Sequence, residues 1–448
     1  MSTLTNLYKS KLRTPEEAVK VVNSGDQVNY NHFAMSPKAL DAALAKRAGE
    51  LKDIQLKGVM QLYVPQTVLA DLKQETFFYH SGYFSPFDRA LSEKGLCHYV
   101  ASNFGFTPFI ARRGWSRPAD VFMTMVAPMD KYGYFNFSTT CSETMALCEM
   151  AKHIIVEVNE KAPVALGGEQ HCIHISQIDA IVENTEPLFV IPSEFEASEE
   201  EKKIAQLIVE RLKDGDCLQF GIGSLPSIIA KLIADSDLKD LGIHSEMMAD
   251  SFVDLYEQGK ITGNRKIMDK GRMTYTFAVG SQRLYDFIDH NPACAIYPVD
   301  LVNMPSRIAM NDNQIAINNA VAVDLQGQVS SESEGFKQIS GTGGQLEFTL
   351  GAEWSRGGAA YICMTSTTMH KGEKVSRIVP YFSPGTIVTC TRGTVSNIVT
   401  EYGVANMMGK PVYDRAEMLI NIAHPDFRDD LVKAAQEQKI WTKSNKIL

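Results

Sequence analysis

Glu246, in the stretch LGIHSEMMAD at 241–250, is the residue whose type and position most clearly suggest chemistry. The apolar residues before it predict a short strand, which places Glu246 near a strand's carboxyl end, where open α/β sheets bind ligands. A carboxylate there could act as nucleophile, base or metal ligand. The plain alternative is an acid at the start of a helix. His244 and Ser245 are adjacent, but neighbouring side chains point in different directions, so a triad made of these three residues has poor geometry.

A glycine-containing stretch, FGIGSLP at 220–226, is a second candidate. Gly221 and Gly223 fall between a predicted strand and a predicted helix, where glycine lets the backbone approach a ligand and the helix N-terminus favours an anion. The pattern fits a loop that holds a phosphate or a pantetheine chain. A dinucleotide fingerprint fits less well, because Pro226 replaces its third glycine. A tight turn without any ligand is equally compatible with this motif alone.

The stretch SGTGGQLEF at 340–348 is a third candidate, with glycine at Gly341, Gly343 and Gly344. Such density marks a tight loop whose N–H groups can form an oxyanion hole or an anion-binding nest. A plain hairpin connection is the alternative, although one or two glycines would suffice for it. We therefore favour a functional loop.

Two isolated polar residues complete the candidate set. Asn303 precedes Met304-Pro305 in an irregular stretch, so its amide could donate to an oxyanion or could instead cap a turn. Glu401 follows an apolar strand and precedes Gly403, which makes it either a second functional carboxylate or an acid at a helix start.

The cluster EQHCIHIS at 169–176 brings His171, Cys172 and His174 together. No complementary set of ligands with metal-site spacing occurs elsewhere in the chain. We therefore expect no metal site.

An internal repeat indicates the elements that must position these residues. Residues 14–58 and 198–245 both open with a capping-box helix, turn at Gly-Asp (Gly25-Asp26 and Gly215-Asp216), and continue with a strand and a second helix. Each then reaches an LKD tripeptide that leads into an apolar strand. Superimposing the tripeptides places Glu246 opposite Val59, so the two copies differ at the chemically interesting position.

Strands alternating with helices in both halves predict an α/β fold with mostly parallel sheets. We expect two structurally similar open α/β/α domains that arose by internal duplication. The polar segment PSEFEASEEEKK at 192–203 marks the boundary. This gives an N-terminal domain at 1–195 and a C-terminal domain at 196–448 that carries Glu246.

Composition narrows the function classes. With 448 residues, 44% of them apolar, and a net charge of −9, the chain has the make-up of a globular protein of two domains without a nucleic-acid-binding surface. The eight cysteines form no CxxC pair and several lie in apolar runs, so we expect reduced thiols in a cytoplasmic protein. No signal sequence and no run of 18 apolar residues occurs, which predicts no membrane association.

Taken together, the motifs resemble the acetyl-CoA hydrolase/transferase family of the class I CoA-transferase superfamily. The resemblance rests on GIGSLP, LGIHSEM, SGTGGQLEF, IVTEYG and RAEMLINIAHPDFRDDL, in that order, and covers nearly the whole chain. GYFNFS, CEMAKHIIVEVNE and DLKDLGIHSEM are most similar to butyryl-CoA:acetate CoA-transferases. 4-Hydroxybutyrate CoA-transferases share GIHSEM and are near neighbours.

The resemblance implies roles for particular residues. It makes Glu246 the catalytic glutamate, Asn303 the oxyanion donor and Glu401 a second active-site glutamate. It also places the active site in the cleft between the two domains. The residues implied to contact CoA are Gly221, Ile222, Gly223, Ser224, Leu225, Gly341, Gly343 and Gly344.

The implied reaction moves CoA from butyryl-CoA to acetate through a thioester on Glu246. A glutamate can serve as the nucleophile because its carboxylate, ionised at neutral pH, attacks a thioester without a base. CoA is then a substrate and no cofactor is permanently bound. Acyl-CoA, acetate and butyrate are the expected partners, and family members are commonly homo-oligomers. Three alternatives stay open: 4-hydroxybutyrate CoA transfer, acyl-CoA hydrolysis if water reaches Glu246, and a CoA- or nucleotide-binding protein without catalysis.

Overall fold

A computed structural model describes residues 3–192 and 195–440 of the chain. The described residues form two compact units: 3–192 with Glu246–Met248 and Thr274–Val302, and 195–245 with Ala249–Met273 and 303–440. Neither unit is one continuous stretch. The boundary between residues 195 and 196 stays a prediction, and Ser193 and Glu194 of the boundary segment lie outside the described residues.

The first series of elements covers residues 3–192 in chain order. They are α1 (Thr3–Lys11), α2 (Pro15–Ala18), β1 (Gln27–Tyr30), α3 (Lys38–Ala45), β2 (Ile54–Gly58), α4 (Gln66–Ala70), β3 (Phe77–Ser81), α5 (Pro86–Ser92), β4 (His98–Tyr99), α6 (Thr107–Arg112), β5 (Val121–Val126), β6 (Tyr134–Asn136), α7 (Thr144–Met150), β7 (His153–Asn159), β8 (Cys172–His174) and β9 (Ala180–Asn184), with 3-10 turns at Val19–Val21, Phe104–Phe106 and Ile175–Gln177.

The elements of residues 195–440 continue the series. They are α8 (Glu199–Val209), β10 (Cys217–Gln219), α9 (Ser224–Asp235), β11 (Gly242–Ile243), β12 (Met247–Met248), α10 (Asp250–Glu257), β13 (Met273–Tyr275), β14 (Phe277–Ala278), α11 (Gln282–Ile288), β15 (Cys294–Ile296), α12 (Val299–Val302), α13 (Pro305–Ile308), β16 (Gln314–Asn319), β17 (Ala322–Asp324), β18 (Val329–Ser330), β19 (Ser333–Glu334), β20 (Lys337–Gln338), α14 (Gln345–Trp354), β21 (Ala359–Cys363), β22 (Thr367–His370), β23 (Glu373–Ser376), β24 (Ile378–Val379), β25 (Asn397–Thr400), β26 (Gly403–Asn406), α15 (Val412–Asn421) and α16 (Arg428–Glu437), with a 3-10 turn at Pro425–Phe427.

The first unit is built on a parallel sheet in the order β4-β3-β2-β1-β5-β7-β9. Its strands are buried on both faces. Along β5, Val121 and Met123 pack in the same cluster as Leu40 of α3, whereas Phe122 packs with Leu147 of α7. Side chains that alternate between two apolar layers require helices on both sides of the sheet. The predicted α/β/α layering is therefore confirmed for this unit.

The second unit is built on a sheet in the order β11-β10-β16-β21-β25-β26. Each pair is parallel except β25 with β26, which pair antiparallel at the sheet edge. Ile362 of β21 and Ile398 of β25 pack with Leu419 of α15 in one buried cluster. The mostly parallel α/β architecture predicted from the sequence is confirmed here as well.

The sequence repeat has a counterpart in strand register. β1 pairs with β2 through Val28 and Leu56, and β10 pairs with β11 through Leu218 and Ile243. Superimposing the LKD tripeptides makes Leu56 and Ile243 equivalent, and superimposing the Gly-Asp turns makes Val28 and Leu218 equivalent. The two LKD aspartates, Asp53 and Asp240, also share a left-handed backbone, with φ of 57° and 58°.

The turns that open the two repeats are equally alike. The amide of Gly25 donates to the carbonyl of Lys52, and that of Gly215 donates to the carbonyl of Lys239. Both glycines have φ near +85°, a conformation that L side chains rarely adopt. The two capping boxes, Thr14 with Glu17 and Ser198 with Glu201, are also present as predicted.

No helix within residues 3–192 and 195–440 is long and apolar enough to cross a membrane.

Candidate active site

Glu246 lies three residues beyond β11 and directly before β12, and it is partly exposed. Its backbone carbonyl accepts hydrogen bonds from the amides of Thr276, at 3.0 Å, and Phe277, at 3.3 Å. The predicted position at a strand end is confirmed. The helix-start alternative is wrong, because α10 begins only at Asp250.

The residues beside Glu246 have structural partners of their own. His244 is buried, with Nδ1 3.3 Å from Nδ2 of Asn311, and its carbonyl accepts from Nε2 of Gln314 at 3.1 Å. Oγ of Ser245 donates to the carbonyl of Phe220 at 3.4 Å. These contacts tie the residues before Glu246 to the neighbouring strands, which is a positioning role and not that of a triad.

The loop Gly221–Leu225 joins β10 to α9, as predicted. Gly223 has φ +121°, a conformation essentially confined to glycine. A Cβ added at Gly221 or Gly223 would have no described heavy atom within 4 Å, apart from its chain neighbours. The backbone therefore faces open space at the N-terminus of a twelve-residue helix, where an anionic group is stabilised. The hydroxyl of Ser224 donates to the carboxylate of Glu201, and Leu225 is buried.

Asn303 lies between α12 and α13 and is fully buried. Its Nδ2 donates to Oε2 of Glu347 at 3.0 Å, and Glu347 is itself buried in the first turn of α14. This bond fixes the orientation of the Asn303 amide relative to the helix that follows the third glycine loop. The role of Asn303 as an oxyanion donor stays a prediction.

The loop that contains Gly341, Gly343 and Gly344 connects β20 to α14. Gly343 has φ +55°, and Gly344 is the residue preceding the helix. The hairpin alternative is wrong, because the loop ends in a helix of ten residues. The buried carboxylate of Glu332 accepts from Oγ1 of Thr342 at 3.3 Å and from Oγ1 of Thr389 at 3.0 Å, which anchors the loop from below.

Glu401 occupies the tight turn between β25 and β26, so the helix-start alternative is wrong for this residue too. Its two carboxylate oxygens accept from Ser366, one from the amide at 2.8 Å and the other from the hydroxyl at 2.5 Å. Ser366 follows β21, so Glu401 is held between the ends of two adjacent parallel strands.

The second unit thus brings two of the candidates to the carboxyl ends of its parallel strands. The loop 221–225 follows β10, and Glu401 follows β25, with both strands running in the same direction. Asn303 and the Gly341–Gly344 loop belong to the same unit and meet through Glu347. Glu246 begins the segment 246–248, which is counted with the first unit.

Sequence reasoning missed a buried histidine–carboxylate contact in the first unit. Nε2 of His32 lies 3.3 Å from Oε1 of Glu143, and both side chains are almost fully buried. Burial opposes the charge on Glu143, but the hydrogen bond from His32 and its charge outweigh this and lower the pKa of Glu143 to about 2. The non-glycine residues Phe33 and Ser142, next to this pair, have positive φ. The two partners are far apart in the chain, so no local motif could indicate them.

An apolar cluster in the first unit adjoins the residue after Glu246. Met247 pairs with Phe277 in register and packs against a cluster that includes Phe33 and Phe104. The rings of Phe33 and Phe277 stack with centroids 4.0 Å apart. Apolar side chains therefore pack together from the residue directly after the candidate nucleophile onward.

The cluster at 169–176 has ordinary hydrogen bonds. Nδ1 of His174 lies 2.8 Å from Oγ of Ser176. Across the described residues, no three His, Cys, Asp or Glu side chains gather in an arrangement that could hold a metal ion.

Comparison with known proteins identifies the family. Residues 2–192 match the model of the acetyl-CoA hydrolase/transferase N-terminal domain, and residues 280–435 match that of the acetyl-CoA hydrolase/transferase C-terminal domain. The chain belongs to the acetyl-CoA hydrolase/transferase family.

Its relatives extend over the full length. The chain is 46% identical to the butyryl-CoA:acetate CoA-transferase of Anaerostipes caccae over 441 residues, which cover 98% of this chain and 99% of that protein. It is 38% identical to the 4-hydroxybutyrate coenzyme A transferase of Clostridium kluyveri over 426 residues, 95% of this chain and 97% of that one. The crystal structure of RipA from Yersinia pestis matches with a TM-score of 0.90 at 37% identity, covering 98% of this chain and all of RipA.

Proposed function

We propose that this protein transfers CoA between a short-chain acyl-CoA, with butyryl-CoA as donor, and acetate, through a covalent thioester on Glu246. The broader class, a CoA-transferase, follows from the family and from relatives of that activity along the whole chain. The observation that carries the finer proposal is the position of Glu246. A partly exposed carboxylate follows a strand end where the other repeat has the buried Val59.

The proposed reaction has two symmetrical halves. The Glu246 carboxylate attacks the thioester carbonyl of butyryl-CoA, and the C–S bond breaks to give a mixed anhydride and CoA thiolate. The thiolate attacks the Glu246 carbonyl carbon, which forms the glutamyl thioester and releases butyrate. Acetate then attacks the glutamyl thioester and receives CoA by the reverse steps, which restores the free carboxylate.

Each addition places negative charge on an oxygen, which N–H donors stabilise. We assign this role to the Asn303 amide and to the backbone N–H groups of Gly341–Gly344. One such donor is typically worth about 3–4 kcal/mol of transition-state stabilisation. The loop Gly221–Leu225 would bind the CoA chain, whose binding energy can be used at the reacting end. Glu401, fixed by Ser366, is assigned to the same site.

The proposal is tested by trapping the thioester. The protein is incubated with butyryl-CoA, treated with borohydride or quenched directly, digested, and analysed by mass spectrometry. We expect an adduct on the Glu246 peptide that disappears when acetate is added. Glu246→Ala should give no adduct, whereas Glu257→Ala, which changes an exposed acid on the following helix, should behave as the wild type.

Two outcomes would contradict this function. CoA release at the same rate with and without acetate would identify a hydrolase. Absence of any adduct, with unchanged turnover in Glu246→Ala, would exclude the covalent mechanism. A panel of butyrate, 4-hydroxybutyrate, propionate, crotonate and succinate against acetyl-CoA would separate butyrate from 4-hydroxybutyrate as the preferred acid.

A cytoplasmic location, homo-oligomeric assembly and the lack of a permanently bound cofactor stay predictions from the cysteine content and the family resemblance.

A further inference from the structure

Lys266 is a buried lysine of the second unit, with only 5% of its surface exposed. Its Nζ donates to the carbonyl oxygen of Ile243 at 2.7 Å and to that of Arg272 at 2.7 Å. Lysine is among the residues least often buried, because removing an ammonium from water is costly. Joining two segments through a buried ammonium therefore carries a desolvation cost. This cost indicates that holding the two segments together has a role of its own.

Both segments lead to Glu246. Ile243 is the last residue of β11 and lies three positions before Glu246. Arg272 directly precedes β13 and lies four positions before Thr276, whose amide donates to the Glu246 carbonyl. The ammonium thus joins β11, which leads to Glu246, to β13, whose continuation at Thr276 donates to the Glu246 carbonyl.

The path of the Lys266 side chain also explains a glycine in the LGIHSEM motif. A Cβ added at Gly242 would lie 2.7 Å from Cγ of Lys266 and 3.0 Å from its Cδ. Any larger residue at this position would displace the lysine stem. The Lys266 side chain can therefore take this path only because residue 242 is glycine, although the two residues are distant in the sequence.

We propose that Lys266 is a positioning residue whose ammonium, by holding the Ile243 and Arg272 carbonyls, fixes the backbone that presents Glu246 to its substrate. This inference rests on the proposed function of Glu246. Charge-assisted hydrogen bonds are roughly twice as strong as neutral ones, so the tether weakens when the amine loses its proton.

The charge state of Lys266 is sensitive to mildly alkaline pH. Burial lowers its pKa to about 8, assisted by the nearby Arg272 and opposed by the carboxylate of Asp269. Cys217 on β10 also faces the ammonium, and its thiolate would oppose the lowering. Burial in turn raises the pKa of Cys217 to about 11, so that thiol stays protonated while Lys266 titrates.

Activity and stability should respond to this titration in opposite directions. The pKa of Lys266 is lower in the folded chain than its ordinary value of 10.5. Below about pH 8 the buried ammonium therefore costs folding stability, and this cost is relieved as pH rises from about 8 to 10.5. A loss of activity above pH 8 without a loss of stability from this group distinguishes the tether from general alkaline unfolding.

The test measures single-turnover formation of the glutamyl thioester from butyryl-CoA by intact mass between pH 6.5 and 9.5. For the wild type we expect the rate constant to fall with a midpoint near pH 8. Lys266→Met should react about 10- to 100-fold more slowly at pH 7, because a small misplacement of a reacting group has an effect of this size. Its rate constant should also show no decrease near pH 8. Lys266→Arg keeps its charge, so the fall should vanish while much of the rate is retained.

Lys260→Met is the matched control, because Lys260 also donates to a backbone carbonyl, that of Ser236, without reaching the Glu246 segment. It should keep the wild-type rate and pH profile. The inference is overturned if Lys266→Met reacts at the wild-type rate, or if either Lys266 variant retains the fall near pH 8. If Lys266→Met does not fold, the profile of Lys266→Arg decides. No adduct in the wild type at any pH would instead overturn the proposed function itself.

Discussion

The two repeats of this chain have the same framework and differ at two points that our proposed function uses. Their strand register and opening turns agree residue for residue. After the second strand, however, one repeat continues with the buried Val59 and the other with the partly exposed Glu246. The shared framework is therefore compatible with different residue types just beyond the strand end, and our proposed function assigns the chemistry to the one in the second repeat.

The second difference lies at the start of the helix between the two strands. In the first repeat, the Glu157 carboxylate on β7 accepts from the first amides of α3, those of Ala39 at 2.9 Å and Leu40 at 3.1 Å. In the second repeat, α9 begins after Gly221 and Gly223, which face open space. One copy places its own carboxyl group at the helix N-terminus, and the other leaves that place accessible to a ligand.

Exchanging the strand-end residues should have the largest effect. Glu246→Val gives the second repeat the residue of the first, and we expect CoA transfer to fall by at least about 10³-fold because the nucleophile is gone. The fold should survive, since the wild-type side chain is partly exposed. Transfer from butyryl-CoA to labelled acetate, with a thermal melt, measures both.

The reverse exchange tests whether the framework alone confers activity. Val59→Glu places a carboxylate where 7% of the residue is exposed, so it should destabilise the fold by several kcal/mol. Combined with Glu246→Val in a double variant, Val59→Glu should not restore CoA transfer. Recovery of activity in the double variant would show that the two strand ends are functionally equivalent, contrary to our interpretation.

Glu157→Gln should change how stability depends on pH. Burial raises the pKa of Glu157 to about 7, from an ordinary value of 4.5, against the hydrogen bonds from Asn184, Leu40 and Ala39. The folded chain therefore holds a proton that the unfolded chain has lost, so stability falls as pH rises from 4.5 to 7, by about 3 kcal/mol at most.

In Glu157→Gln this slope should be absent in urea unfolding measured between pH 5 and 7.5. Glu160→Gln, an exposed acid just beyond β7, is the control and should retain the slope. A slope that persists in Glu157→Gln would mean that another group causes it.

Gly221→Val tests whether the open helix start of the second repeat binds the substrate. The added side chain meets no described atom within 4 Å at its Cβ, so folding stability should change little. If the CoA chain lies against this loop, overpacking costs about 1–3 kcal/mol and KM for butyryl-CoA should rise about 5- to 150-fold. An unchanged KM would place CoA elsewhere.

The smallest effect is expected at the matched left-handed aspartates. Asp53→Gly removes the strain of a non-glycine residue at φ 57° and should stabilise the fold by up to about 1 kcal/mol. Asp240→Gly should gain less, because Asp240 also accepts from Arg265 at 3.0 Å. Equal melting shifts for the two variants would mean that the Arg265 contact contributes nothing.

Much of the architecture was predictable because it depends on local patterns. Capping boxes, Gly-Asp turns and apolar periodicity act over a few residues, so they indicated the repeat, the strand before Glu246 and the loop after β10. The helix-start alternatives for Glu246 and Glu401 failed for a local reason as well. An acid after an apolar run is equally compatible with a helix start or a turn. The strands that follow, β12 and β26, are too short to show a clear strand pattern in the sequence.

By itself, then, the sequence determined the duplicated α/β framework and the family, and it indicated the residue that we propose reacts. Only the tertiary structure decided which long-range contacts hold the two repeats and the Glu246 segment in place. The Lys266 bond to Ile243, the buried pair of His32 and Glu143, and the bonds of Glu157 to the amides of Ala39 and Leu40 all join residues distant in the chain. Their energies come from burial and hydrogen bonding after the strands have packed, and no spacing in a linear sequence encodes them.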